Sequence, residues 1–376
     1  MDRGIFGNPF GVLVEESGHH AFVPGPIPPN IEYDDRLVGE LGRTESSLGE
    51  LRATAESLSM PPGLPGMFGS LEAIMSSSIE GTTATFQDTL RWDLGQVSPE
   101  DARRLRMREV LNCRSILLER WPDAKSGGLL DNDTIKEVHR SLWLDVEGNE
   151  AHSGEFRLHQ NWIGGGREIS DAKYVPPPLR YVSTLMDDLE AFIVDPPVMP
   201  GLLQCAIAHY QFEAIHPFHD GNGRVGRIIL CLMLSAQARL AWPLDISTYI
   251  KRRQLQYYNR LLKVSTCSEW NRWFEFILGV IRDAADGSVQ RVRRLREESE
   301  RCKKMANTGN GAALVDMLME RPMVTVPQIR SRLGMSYPGA RNLVEGFVEM
   351  GILAEAPTKR RPRLFFAPRI LDLVGG

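Results

Sequence analysis

From Asp35 to about Met60 the run LVGELGRTESSLGELRATAES repeats apolar residues at a helical period, and PPGLPG at 61–66 ends it. A second helix is predicted over GSLEAIMSSSIEGTT, where Leu71, Ile74, Met75 and Ile79 share a face and Gly81 reads as the stop. Ser76 and Glu80 are four apart, so they are neighbours on that helix. Helical periodicity continues through PEDARRLRMREVLNCRSILLERW and NDTIKEVHRSLWLDV. Residues 153–178, SGEFRLHQNWIGGGREISDAKYVPPP, break it: short β-prone pieces, a glycine cluster and a triple proline predict a small hairpin or flap. Helices resume in LRYVSTLMDDLEAFIV. GLLQCAIAHYQFEAIHPF is apolar enough to be a central buried helix, and RVGRIILCLMLSAQARL is another.

The two ends differ from this middle. Residues 1–35 are rich in Pro and Gly (FVPGPIPPN) and read as a segment running over another domain. Residues 286–305, DGSVQRVRRLREESERCKKM, read as a charged helix or linker. Beyond them ALVDMLMERP, TVPQIRSRLG and SYPGARNLVEGFVEMGIL are three helical segments, and AEAPTKRRPRLFFAP has the form of a two-stranded wing with a basic tip. That order resembles a winged helix-turn-helix. The fold class is therefore mainly α, with a small β-hairpin flap and a C-terminal winged-helix-like module. The expected divisions are 1–110, 111–285, 286–305 and 306–376.

At 376 residues the chain is long for one hydrophobic core. Its 42% hydrophobic and 24% charged residues are ordinary for a globular protein. The net charge of −4 is unevenly spread: residues 287–376 carry 16 Lys and Arg against 9 Asp and Glu. That basic C-terminal part points to an anionic partner, with DNA as one candidate. No apolar run reaches the ~18 residues of a membrane helix, and MDRGIFGNPFG lacks a signal peptide's apolar stretch. Five cysteines, with no CxxC, read as thiols in a reducing cytoplasm. The expectation is a cytoplasmic protein with no membrane partner.

The chemistry concentrates in HPFHDGNGRVGR, residues 216–227. Gly221, Gly223 and Gly226 spell GxGxxG, but the dinucleotide fingerprint follows a strand, and AIAHYQFEAIHPF is helical. His216, His219 and Asp220 lack HExxH spacing and an evident third metal ligand. The turn itself is more informative. A glycine loop that opens a helix leaves backbone N–H groups free to hold an anion. Arg224 and Arg227, three apart, can face the same polyanion. Asp220 can hold Mg2+ shared with phosphates, and His216 can take a proton from an attacking hydroxyl. Together these describe nucleotidyl or phosphoryl transfer.

HPFHDGNGRVGR resembles the signature of Fic proteins, HxFx(D/E)GNGRxxR, at every fixed position. The resemblance covers about residues 60–285, and some Fic proteins also carry a C-terminal winged helix. It implies an all-helical core that transfers AMP from ATP to a Ser, Thr or Tyr hydroxyl of a protein target. It implies His216 as general base, Phe218 as the loop's anchor and Asp220 as the Mg2+ (or Mn2+) ligand. Gly221, Asn222 and Gly223 would cradle the α- and β-phosphates. Arg224 and Arg227 would meet the β- and γ-phosphates, with Val225 and Gly226 completing the ATP-binding turn. Gly223 stands where γ-phosphate-transferring relatives have Lys, which favours AMP transfer. The flap, with Ile163 and Tyr174, would pair with the target, and Tyr258 and Asn259 would line the adenine pocket. Relatives of this build often dimerise, so a homodimer is expected.

SSSIEGT (76–82) is the second signal. It resembles the family's inhibitory helix, (S/T)xxxE(G/N), through Ser76, Glu80 and Gly81. Glu80 would pair with Arg227 and occupy the cation meant for the γ-phosphate. The same glutamate implies AMP removal as a further reaction in some relatives. Other nucleotides as substrate, and a DNA-binding regulator using the core as a nucleotide sensor, are the alternative readings. His209 and His219 read as structural.

Overall fold

The computed structural model describes residues 3–57, 63–128, 130–146, 152–166, 168–357 and 361–375. The chain begins with an antiparallel hairpin, β1 (Gly11–Glu16) and β2 (His19–Pro24). The Pro/Gly content had suggested only a surface run. The β-prone runs VLV and AFV, joined by a turn with Ser17 and Gly18 both at positive φ, make a hairpin instead.

Helix α1 (Asp35–Ser57) lies along the later helix α12 (Trp270–Ala306), burying Leu37, Leu48 and Leu51. Helix α2 (Leu64–Ile79) is apolar on most of its surface and buries Leu64, Met67, Phe68, Leu71 and Ile74. Its first end abuts the C-terminal unit: a Cβ on Gly63 would lie 2.5 Å from Glu320 Cα, so only glycine fits there. Two short helices, α3 (Phe86–Asp93) and α4 (Pro99–Arg104), precede α5 (Met107–Lys125). The single helix expected from PEDARRL onward is thus broken, at Arg106, which takes φ 49°. The division expected at residue 110 falls inside α5.

Helix α6 (Asn132–Leu142) is followed by the irregular segment around 152–178, then α7 (Leu179–Val194). The core is α8 (Gly201–Ile215) against α9 (Asn222–Ala238). Nearly every α8 side chain is buried, as its unbroken apolar run requires. Helices α10 (Ser247–Arg252) and α11 (Gln254–Cys267) complete the shell, and α10 packs on both α2 and α12.

The charged stretch 286–305 is helical but is no separate linker. It is the second half of α12, which runs unbroken for 37 residues. Val289, Val292 and Leu295 carry the helix's buried stripe through the charges. Beyond it lie α13 (Gly309–Glu320), β3 (Met323–Thr325), α14 (Val326–Leu333), α15 (Tyr337–Glu349), β4 (Ala354–Glu355) and β5 (Leu364–Phe366), in a sheet of order β3-β5-β4. A final helix, α16 (Pro368–Gly375), packs back on α12. The basic tip of the expected wing falls partly on residues 358–360, outside the described residues. The fold is mostly helical with small antiparallel sheets.

Candidate active site

The site forms where α8 ends and α9 begins. His216 closes α8 in the left-handed conformation, φ 50°, while its N–H still donates to Phe212 O at 2.9 Å. Pro217 then has no N–H to extend the helix. Phe218 is fully buried, stacked on His139 with ring centroids 3.8 Å apart. Asn222 staples the loop: its Oδ1 accepts from Phe218 N and its Nδ2 donates to Phe218 O, both at 2.8 Å. His139 braces the loop from α6. Its Nδ1 accepts from Gly154 N at 2.8 Å, and its Nε2 lies 3.0 Å from both Asp220 O and Trp143 Nε1. Gly221, at φ +80°, makes the turn into α9.

A cavity of about 590 Å³ opens over this turn. The loop contributes His216, His219, Asp220, Gly221, Asn222 and Gly223, and Arg227 reaches it from the second turn of α9. Burial lowers the His216 imidazole to about 4, with the Glu213 carbonyl opposing, so the ring is neutral at neutral pH. A neutral imidazole is what a proton acceptor needs. Asp220 is exposed at the cavity edge, and its Oδ1 accepts from Gly221 N at 2.6 Å. One carboxylate beside a phosphate-sized anion hole is how Mg2+ is often held, with substrate oxygens and water as remaining ligands. The described residues contain no cluster of three His, Cys, Asp or Glu for an all-protein metal cage.

Glu80, at the last turn of α2, enters this cavity. Its Oε1 accepts from Arg227 Nη2 at 2.7 Å. Ser76 holds the same guanidinium through Oγ, 2.9 Å from Nε, and through its carbonyl, 3.0 Å from Nη2. Arg227 is 1% exposed, and burial of its charge is offset first by Glu80, which keeps the guanidinium firmly protonated. Burial works to raise the Glu80 carboxyl, but Arg227 overcomes it and holds the group below the usual carboxylate range. A Cβ on Gly223 would lie 2.5 Å from Glu80 Oε1. The carboxylate therefore rests on the backbone of α9's first turn, where an anion is favoured. Gly81 leaves α2 at φ +91°, as its reading as a stop required.

Not every expected residue lines the cavity. Val225 and Gly226 are buried in the α8–α9 contact. Arg224 is buried too, its Nη1 donating to Glu109, which Arg106 also holds at 2.6 and 2.7 Å. Its guanidinium carbon sits 4.6 Å from the Trp143 ring centroid. Tyr258 lines the cavity, but Asn259 does not; it is exposed on another face of α11. The cavity face of α11 repeats as Tyr257, Tyr258, Leu261, Leu262 and Ser265, and Asn259, one step of about 100° past Tyr258, falls outside it. Ile163 and Tyr174 form one antiparallel bridge, with Ile163 N donating to Tyr174 O at 2.8 Å. Tyr174 Oη donates to Ala214 O at 2.7 Å, tying the flap to α8. The hairpin adds to the flap's far side, where Phe22 N donates to Val175 O at 2.9 Å.

Sequence reasoning missed Glu213, one helical turn before His216 and in the cavity wall. Burial raises its carboxyl to about 7 against the pull of Arg227. Its i, i+3 spacing to His216 was the available signal. His219, read as structural, is exposed in the cavity wall. His209 is structural as read, bonded to Tyr257 Oη at 2.8 Å and to Gly226 O at 3.1 Å.

Residues 129–234 match the Fic/DOC family model, and residues 38–118 match the Fic/DOC family N-terminal model. Protein adenylyltransferase fic-1 of Caenorhabditis elegans is 33% identical over 102 residues, 27% of this chain and 18% of that protein. Protein adenylyltransferase Fic of Aedes aegypti is 34% identical over 134 residues, 34% of this chain and 23% of that protein. The chain thus spans about a fifth to a quarter of the length of these curated relatives. A Fic family protein from Desulfovibrio desulfuricans G20 shares the fold with TM-score 0.58 and 22% identity, over 90% of this chain and 98% of that one. C. elegans Fic-1 (residues 134–508) aligns with TM-score 0.53 and 21% identity, over 70% of this chain and 74% of that one.

Proposed function

This chain is a Fic-family protein related to the Fic adenylyltransferases, and from that premise we propose that it transfers AMP from ATP to a Ser, Thr or Tyr hydroxyl of a protein, under restraint by its own Glu80. The observation that carries the reading is the pairing of Glu80 and Ser76 with Arg227 directly above the Gly223 turn. The curated relatives are named as protein adenylyltransferases.

In the transfer, the target oxygen attacks the α-phosphorus of ATP. The new O–P bond forms as the bond to the β-phosphate bridging oxygen breaks, and pyrophosphate leaves. His216 takes the hydroxyl proton, a role suited to a ring that burial keeps neutral. The N–H groups at the start of α9 and the Asn222-stapled turn hold the phosphates. Asp220 would hold Mg2+, which supplies charge neutralisation between phosphate groups. Tyr258, Leu261 and Leu262 offer the base an apolar wall. Ile163 spends its own N–H and C=O on the Lys173–Tyr174 arm, so the backbone groups of its neighbours Trp162 and Gly164 would be the ones to meet an extended target segment.

Glu80 places a carboxylate where the terminal phosphate would sit and takes the guanidinium that would receive it. ATP can then enter only with its phosphates displaced, and a misplacement of about 1 Å can cost roughly 100-fold in rate. The test is to incubate wild type, Glu80→Gly and Glu80→Gly/His216→Ala with Mg-ATP and weigh the intact protein. An added AMP group only on Glu80→Gly is expected. A folded Glu80→Gly that labels no better than wild type, alone or with cell extract as target source, contradicts the restraint.

The C-terminal unit supports a second, compatible reading. Its helix order and β3-β5-β4 sheet fit a winged helix. A pocket of about 280 Å³ between α15 and the β5 side is lined by Arg341, Arg361 and Arg363. Glu345 lines it too, and Arg341 is paired with Glu345 and Arg363 with Glu355, so the phosphates of duplex DNA would have to draw these two guanidinium groups from their carboxylates.

A further inference from the structure

The end of α2 that carries Glu80 is held by more than the Glu80–Arg227 pair. A helix leaves its last carbonyls without intrahelical partners. Here three of them meet side chains from three other elements. Lys251 Nζ, on α10, donates to Ser78 O at 2.8 Å. Gln254 Nε2, at the start of α11, donates to Ile79 O at 3.3 Å. Arg106 Nη1, at the start of α5, donates to Glu80 O at 3.3 Å.

Electrostatics explains the need for such a cap. Carbonyls at a helix C-terminus carry partial negative charge, and an anionic side chain there is disfavoured. Glu80 is an anion at that end, drawn there by Arg227 and by the N-terminal turn of α9. The Lys251 and Arg106 cations, set on the carbonyls just before and at Glu80, offset that repulsion. Gln254 adds a link to the cavity, because its Nε2 also lies 3.2 Å from Tyr258 Oη.

We propose that Lys251, with Gln254 and Arg106, positions Glu80 on Arg227, so that the hold on the catalytic loop depends on this three-sided cap. These are positioning residues. The proposal rests on the reading that Glu80 restrains AMP transfer. Losing one cationic hydrogen bond to the helix end should shift the restrained equilibrium roughly tenfold.

The test uses the full chain with Mg-ATP and intact-mass detection of AMP. Lys251→Met should label roughly tenfold faster than wild type, and Lys251→Arg should stay within about twofold of wild type, as one cationic donor replaces another. In the Glu80→Gly background, Lys251→Met should add nothing, since there is no carboxylate left to position. Wild-type labelling by Lys251→Met beside an active Glu80→Gly overturns the proposal, as does a further gain in the double variant. Amide exchange gives a readout independent of catalysis. The N–H groups of Glu80, Gly81 and Thr82 bond to Ser77 O and Ser78 O at the capped end, and should exchange roughly tenfold faster in Lys251→Met. Unchanged exchange overturns the cap. If Glu80→Gly is silent, the AMP-transfer reading falls by itself, and faster exchange in Lys251→Met still upholds the cap.

Discussion

Replacing Glu80 with glutamine isolates the charge from the shape of the restraint. The amide keeps an acceptor oxygen within reach of Arg227 and removes the negative charge. The ion pair is 2.7 Å long, with Arg227 1% exposed and Glu80 34% exposed. Coulomb's law gives about 6 kcal/mol at an effective dielectric of about 20, and about 1.5 kcal/mol at that of water. Glu80 faces solvent on one side, so screening brings the value toward the lower figure. A loss of about 2–3 kcal/mol follows, which is about 30- to 150-fold in the restrained-to-open ratio. The guanidinium should stay in place, because Ser76 keeps both of its bonds to it. Initial rates of AMP incorporation for wild type, Glu80→Gln and Glu80→Gly, measured against ATP concentration at ~0.15 M salt, read this directly. Glu80→Gln should fall near Glu80→Gly. If it labels at the wild-type rate while Glu80→Gly is fast, the block is one of bulk, and the charge argument is refuted.

Two further outcomes follow from the site and the C-terminal unit. His216 is lowered by burial to about 4, so falling pH removes the base only as it passes through about 4. The kcat of Glu80→Gly should show no histidine limb near the ordinary ~6.5, and a limb there that shifts with His216 environment variants contradicts the assignment. For the C-terminal unit, duplex DNA retention should weaken with salt at a log–log slope of about −3 if Arg341, Arg361 and Arg363 each meet one phosphate; Arg361→Ala should reduce the slope by about one, and a salt-independent signal excludes phosphate contact.

The loop was legible because it is contiguous: His216, Asp220, the glycine turn and both arginines sit within twelve residues on consecutive elements. Ser76 and Glu80 were legible because one helix turn brings them together. Tyr258 and Asn259 show the limit of that logic, since periodicity identifies a helix before its phase is known. Asn259 lies one 100° step past Tyr258, outside the cavity-facing residues. Glu109, Arg157 and Lys251 were not legible at all. Each acts through a partner far along the chain, such as Arg157 donating to His216 O from the flap. The N-terminal hairpin was hidden by its proline content, although VLV carries the β-branched residues a strand favours. The charged second half of α12 misled because solvent-facing charges outnumber a narrow buried stripe.

Helix α2 can also be seen as a pushrod. It has 16 residues, hence a length of about 24 Å. One end packs at Gly63 against Glu320 of the C-terminal unit, and the other sets a carboxylate on Arg227. Packed helices are stiff along their axes and move as bodies. A displacement of the C-terminal unit would therefore reach Glu80, at the other end of the same helix. On the proposed reading that Glu80 restrains AMP transfer, a small strain at one end of the molecule would change throughput at the other.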